Sequence, residues 1–263
     1  IDGRMAEIET DEPAESQANR LVIEGQECTD PHGRVICQTN FQIRITDADG
    51  GDRVAPLEMS QRMTPEAIEP IFSGASWAGT VLWRAAVKLV EAAILAQPPL
   101  VPFGAETTVI ELGCGLGVPG MVCARLGAGR VVLTEQESLV SLLERNVESN
   151  FAAGGARVDV REFSWSAQGA KALRDEITAG APFDLIICCD CVYIPLYGES
   201  WVALVEAIDG LAGAESHVLL SLERRHVKNG DDGVEPFLSS MAAAGFDKAY
   251  LPSTHPIELI HFT

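Results

Sequence analysis

The stretch Thr107-Thr108-Val109-Ile110-Glu111-Leu112-Gly113-Cys114-Gly115-Leu116-Gly117-Val118-Pro119-Gly120 constrains this chain more than any other. Thr107 to Leu112 is short, apolar and β-branched, which predicts a buried strand. Gly113, Gly115 and Gly117 let the backbone turn sharply and bring its N–H groups close to a ligand. From Pro119 the pattern Met121, Val122, Ala124, Arg125, Leu126 predicts a helix, and proline is tolerated in a first turn. A strand feeding a glycine turn and a helix N-terminus predicts a nucleotide or nucleoside cofactor site.

Two cofactor classes compete for that turn. Gly115-Leu116-Gly117-Val118-Pro119-Gly120 fits the dinucleotide fingerprint G-x-G-x-x-G, which by itself discriminates poorly. In a dinucleotide site the first glycine follows the strand directly and the helix receives a pyrophosphate. Here Glu111 sits at the strand end, two residues before the first glycine. A carboxylate there repels pyrophosphate and suits an ammonium group, directly or through water. A second carboxylate, Glu135, ends the next strand, Arg130 to Glu135, and can accept hydrogen bonds from both ribose hydroxyls of either cofactor.

Composition narrows the classes further. The 263 residues are 47% hydrophobic and 22% charged, ordinary for one large α/β domain with an N-terminal extension. No apolar run is long enough to span a membrane as a helix, and no basic and apolar leader opens the sequence. A net charge of −19 disfavours non-specific nucleic-acid binding, which rests on Lys and Arg at phosphates, and allows attraction to a basic partner. Seven cysteines with no paired C-x-x-C framework predict reduced thiols and a cytoplasmic or nuclear setting. Cys188, Cys189 and Cys191 fall on a strand, where neighbours face opposite sides, so they read as small buried residues and no metal is expected.

Along the chain, Ile1 to Arg4 before Met5 reads as the remnant of a cleavable tag, and residues 1–20 as that remnant plus an acidic, disordered segment. Residues 21–72 read as a small antiparallel β extension with strands at Leu21–Ile23, Val35–Cys37 and Phe41–Ile45, a turn at Asp30-Pro31-His32-Gly33 and a short helix after Thr64-Pro65. Residues 73–263 read as the main domain. Val81, Ala85, Leu89 and Ala92 recur at helical spacing, with Trp83 near the start of that helix. Strands then alternate with helices up to a last helix over Val234–Ala244, and two final strands near 247–251 and 257–262 form a hairpin. Such alternation predicts a Rossmann-like parallel sheet with helices on both faces and ligands beyond the carboxyl ends of its strands. Glu111, Glu135, Trp165, Asp190 and Glu223 stand at those ends.

The motifs together resemble the class I, seven-strand methyltransferases, and among them the protein lysine methyltransferases of methyltransferase family 16. The similarity runs from about Gly79 to Phe262. It rests on Gly79-Thr80-Val81-Leu82-Trp83, on Glu111 to Gly117, on Glu135, on Leu142 to Asn150 with Asn146 and Asn150, on Ser164-Trp165, on Asp190-Cys191-Val192-Tyr193 and on Ser221 to Arg225. The resemblance implies S-adenosylmethionine as cofactor and S-adenosylhomocysteine as product. It implies that Trp83, Glu111, Gly113, Cys114, Gly115, Gly117, Glu135, Trp165 and Cys189 form the cofactor site, with Trp165 bordering the adenine and Cys189 standing where the family usually has Ala. The implied substrate is a lysine on a protein such as a chaperone or translation factor, though at least one relative modifies histidine instead. No nucleic acid or membrane partner is expected, and the chain is expected to be a monomer.

Methyl transfer needs a neutral nucleophile, whereas a free lysine has a pKa of about 10.4. Asp190 and Tyr193 are the expected acceptor-channel residues, orienting the amine by hydrogen bonds, with Asp190 attracting the incoming cation. Helix capping by Asp190 and plain packing by Tyr193 are the competing readings. A small-molecule methyltransferase, a NAD-dependent enzyme and a non-catalytic cofactor-binding scaffold remain as alternative functions.

Overall fold

The computed structural model describes residues 20–25, 28–29, 34–36, 40–47, 49–61, 75–151, 157–227 and 230–263. The tag remnant, the acidic segment, the turn at Asp30–Gly33 and the helix after Thr64-Pro65 lie outside the described residues.

Strand β1 (Arg20–Glu24), β4 (Asn40–Thr46) and β5 (Leu57–Ser60) form an antiparallel sheet, while β2 (Cys28–Thr29), β3 (Arg34–Ile36) and β6 (Leu82–Trp83) form a second. In β4 the apolar residues alternate, so Phe41, Ile43 and Ile45 are buried while the residues between them are more exposed. β5 has the same period, with Leu57 and Met59 buried, and it was not anticipated from sequence. All four of its residues pair with β4.

The segment before the glycine turn departs from expectation. Residues 75–80 make a 3₁₀ turn, Leu82 and Trp83 are extended, and the helix α1 (Arg84–Leu89) starts only after them, widening into a π-type turn over Val90–Ile94. The reason is tertiary: Arg34 and Val35 pair with Trp83 and Leu82 and hold them as strand.

The main sheet follows. β7 (Thr108–Leu112) leads to α2 (Val118–Arg125), β8 (Arg130–Glu135) to α3 (Glu137–Asn150), and β9 (Arg157–Glu162) to α4 (Ala167–Thr178). β10 (Leu185–Cys189) leads to a short α5 (Ile194–Tyr197) and α6 (Trp201–Leu211), and β11 (His217–Glu223) to α7 (Val234–Ala243). The chain closes with β12 (Lys248–Leu251) and β13 (Ile257–Phe262). The helix expected over Tyr197–Leu211 is broken at Gly198, which adopts φ 60°.

The seven strands lie in the order β12-β13-β11-β10-β7-β8-β9. β11-β10-β7-β8-β9 are parallel, and β13 runs antiparallel to both of its neighbours. This is the expected class I methyltransferase architecture. Successive residues of one strand enter different cores: Val109, Leu185 and Ile187 face one, Ile110, Ile186 and Cys188 the other. Helices on both faces account for strands that read as continuous apolar runs. The first core also takes in Phe41, Ile43, Leu57 and Met59, so the N-terminal sheet shares its interior with the main one. Between β7 and β10 the chain order reverses, which opens a crevice at the carboxyl ends of the strands.

Candidate active site

A cavity of about 540 Å³ opens at that crevice, of a size ordinary for a small-molecule site. The glycine turn forms its floor. Gly113 has φ 58°, and a Cβ there would lie 3.0 Å from Cζ2 of Trp165 and 3.1 Å from Sγ of Cys191. Gly115 has φ 55°, and its Cβ would lie 3.1 Å from the carbonyl oxygen of Gly79. Only glycine meets both demands, a left-handed backbone and a neighbour at contact distance. The turn at Gly79 thus lies directly on the turn at Gly115, and a Cβ at Gly79 itself would lie 2.4 Å from Cδ1 of Leu139.

Glu135 ends β8 on the cavity wall. Its Oε1 accepts from the Gly115 amide at 3.0 Å and its Oε2 from the Gln136 amide at 2.6 Å. Burial raises its pKa, and the two backbone N–H bonds work against that rise. Trp83, Gly113, Cys114, Gly115, Trp165, Cys189 and Asp190 line the same cavity. Gly117 does not; at φ 75° it precedes α2 and sets the direction of that helix.

Glu111 also lies outside the cavity wall. It is 1% exposed, and its Oε2 accepts from the Gly120 amide in the first turn of α2 at 2.8 Å. Its Oε1 has no hydrogen-bond partner among the described residues. Burial, with a smaller contribution from the charge of Glu135 and against the Gly120 bond, pushes its pKa up to about 8. The carboxyl therefore serves an amide of the first turn of α2 from within the protein and does not face the cavity.

Asp190 follows β10 with φ 56°, a left-handed conformation uncommon outside glycine, and is 5% exposed. Its carboxylate accepts from the Glu223 amide at 3.1 Å and from Arg225, Nη1 at 3.0 Å and Nη2 at 2.5 Å. It is not a helix cap: Tyr193 precedes α5, with no side-chain cap bond. The Arg225 guanidinium lies 5.3 Å from the ring centre of Trp83 and 5.0 Å from that of Tyr193, and Nη2 also reaches Glu223 at 3.2 Å. Burial lowers the guanidinium pKa, but the bonds and charge of Asp190, with the charge of Glu223, outweigh it and the net shift is upward. Trp83 further donates from Nε1 to the Ala78 carbonyl at 2.8 Å. Tyr193 meets this cluster but does not line the cavity; Tyr197 does, and burial pushes its phenol well above the ordinary range.

Arg225 and Tyr197 were not singled out by the sequence. Arg225 sits in the Ser221–Arg225 motif without a periodic signal, and Tyr197 was absorbed into a helix. The thiols of Cys114, Cys188, Cys189 and Cys191 are free, and burial pushes their pKa values up, so they sit as neutral packing groups.

Residues 73–242 match the profile of a family described as lysine methyltransferase. The chain belongs to that family. Among curated relatives, it is 36% identical over 132 residues to the secreted RxLR effector protein 48 of Plasmopara viticola, covering 47% of this chain and 64% of the relative. It is 34% identical over 122 residues to protein N-lysine methyltransferase METTL21A of Danio rerio, 46% of this chain and 51% of that one. It is 28% identical over 117 residues to EEF1A lysine methyltransferase 3 of Xenopus tropicalis, 44% of this chain and 47% of that one. The matched part of the chain thus spans about half to just under two thirds of the length of these relatives.

Proposed function

We propose that this chain transfers a methyl group from S-adenosylmethionine to the side-chain nitrogen of a lysine on a protein substrate. Family membership supports the reaction. The observation that carries the cofactor site is Glu135, which ends β8 on the cavity wall and is held against the glycine turn by the Gly115 amide. The cavity residues fit a nucleoside with a cationic amino-acid end. Glu135 would accept from the ribose hydroxyls, the backbone of Gly113, Cys114 and Gly115 would meet the amino-acid end, Trp165 would border the adenine, and the backbone of Cys189 would contact the cofactor. Trp83 lines the same cavity.

When bound, S-adenosylmethionine supplies an electrophilic methyl carbon on a sulfonium, so the protein's part is alignment and desolvation. Asp190 lies on the cavity wall and Tyr193 meets it through Arg225, and we assign both to the acceptor side. The carboxylate of Asp190 is held by two guanidinium N–H groups, so it acts as an oriented anchor rather than a free base.

The name of the Xenopus relative makes a translation elongation factor the first substrate to try. Among the described residues no helix is long and apolar enough to cross a membrane. The free, buried thiols support a reducing compartment, the cytoplasm with the nucleus as second choice, and we take the chain as a monomer. Gel filtration and tagged imaging test those two points.

Calorimetric titration tests the cofactor. The expected result is S-adenosylmethionine binding, no NADH binding, and loss of affinity by about 10–100-fold in Glu135→Ala, the scale of charge-assisted hydrogen bonds. Transfer of labelled methyl into recombinant EEF1A or a cell extract should then label a protein band whose label resides on lysine. NADH binding, or binding of S-adenosylmethionine with no protein labelled, would overturn the proposal.

A further inference from the structure

Four groups converge on one guanidinium at the edge of the cofactor cavity. Asp190 takes it with both carboxylate oxygens, Glu223 takes it with one, and the rings of Trp83 and Tyr193 lie against it at 5.3 and 5.0 Å. The side chain of Arg225 is 17% exposed, those of Asp190 and Glu223 5% and 15%. Two carboxylates and two aromatic rings are the chemistry that holds a substrate ammonium. Here they are engaged by a cation from the chain itself.

That arrangement has a consequence for the acceptor. An amine attacks carbon only when neutral, and a carboxylate with no counter-charge stabilises the ammonium form instead. A free Asp190 and Glu223 beside the cavity would hold an incoming lysine as the unreactive cation. We propose that Arg225 is a positioning residue that offsets the charge of Asp190 at the acceptor end of the cavity, so that the site receives lysine as the amine and not as the ammonium. It acts through Asp190, whose charge it cancels, and through Trp83 and Tyr193, whose rings it spaces. This inference rests on the methyltransferase reading above.

The geometry favours arginine over lysine for the anchoring itself. The forked guanidinium satisfies two carboxylate oxygens at once and still stacks on rings, which an ammonium does not do. The charge, by contrast, is common to both residues. The two roles can therefore be separated by substitution.

Sinefungin, a cofactor analogue with an amine in place of the transferable methyl, probes the acceptor end without any protein substrate. S-adenosylhomocysteine, neutral at that place, is the reference. The ratio of their affinities, measured by calorimetry at pH 7, reads the local charge and is insensitive to a general loosening of the cavity, which weakens both ligands together. In Arg225→Met the ratio should shift toward sinefungin by about tenfold, the scale of one unit charge removed from a partly buried site. Arg225→Lys should return the ratio to within about threefold of the wild-type value, even where both affinities fall. Glu223→Gln, which leaves the Asp190–Arg225 pair in place, should shift the ratio the other way and serves if Arg225→Met does not fold.

An unchanged ratio in Arg225→Met, or in Glu223→Gln where the first variant is unfolded, would overturn the inference. So would a ratio in Arg225→Lys that matches Arg225→Met. Failure of the wild-type protein to bind either compound would overturn the methyltransferase reading, and the inference with it. As a second readout, the acid limb of methyl transfer into a cell extract should move to higher pH in Arg225→Met, because more of the acceptor is held as ammonium.

Discussion

The main sheet and the N-terminal sheet solve the same problem in different ways. In the main sheet the strands β7 and β10 are covered on both faces and joined by parallel pairing across the centre, and their side chains are almost all apolar. In the N-terminal sheet one face joins the core, and the free edge of β5 meets the helix α3 through side chains. Asn146 accepts from the Ser60 amide at 2.9 Å and donates to its carbonyl at 3.2 Å; Asn150 does the same for Glu58 at 2.7 Å on each side. Two residues a turn apart on a helix rise about 6 Å, close to the roughly 6.6 Å between alternate residues of a strand. The two amides therefore act as the next strand, and an edge that would otherwise be open to pairing is closed. Arg125 adds to the same seam, donating to Pro56 and Asn150 carbonyls and lying over the Phe151 ring. Burial on both faces holds the first sheet; burial of one face and a few specific polar bonds seat the second.

Substitution should expose that contrast. The largest effect is expected at Ile187, fully buried in the centre of β10. Ile187→Ala should cost about 2–5 kcal/mol and lower the single denaturation midpoint of the whole chain. Equal protection of both sheets in native-state hydrogen exchange would argue against a hierarchy. Next comes Asn146→Ala, which removes two part-buried bonds to the Ser60 backbone and should cost about 1–3 kcal/mol. Exchange should rise in β1, β4 and β5 while β7 and β10 stay protected. Asn150→Ala removes the same pair of bonds in a more exposed place and should cost less, about 0.5–1.5 kcal/mol.

The pH response belongs to the main sheet. Glu111 has a folded pKa of about 8, above its value in an unfolded chain, so the folded state holds a proton that the unfolded chain releases. Its contribution is flat below the unfolded value near 4.5, turns increasingly unfavourable as pH rises from there to about 8, and is constant above. Stability should therefore fall between pH 6 and 8 by about 1–3 kcal/mol on this account, and Glu111→Gln, which keeps an acceptor for the Gly120 amide, should flatten the slope. Urea denaturation at the two pH values measures it; an unchanged slope in the variant would place the proton elsewhere. The N-terminal seam, built on amides, should not contribute to the pH dependence.

Much of the site was legible because its signals are local. A run such as Thr108–Leu112 followed by glycines at alternate positions specifies strand, turn and helix within a short window. The carboxyl ends of later strands, at Glu135, Trp165 and Asp190, follow once the alternation is read. Less legible was where those side chains point. Glu111 was read toward the cofactor, yet it turns beneath the helix to cap Gly120. Trp83 was placed in a helix, yet a strand drawn from residues 34–36 holds it extended.

The sequence by itself determined the strand–helix alternation, the glycine turn, the carboxylates at the strand ends and the family. Each follows from backbone sterics and from a hydrophobic period that a few neighbouring residues carry. The tertiary structure alone decided which long polar side chains meet. Arg225 finds Asp190 across 35 residues, and Asn146 finds Ser60 across 86. Such pairs depend on how whole elements pack, because a guanidinium or an amide is satisfied by any suitable partner within reach, and only the packed sheet and helices bring one partner there.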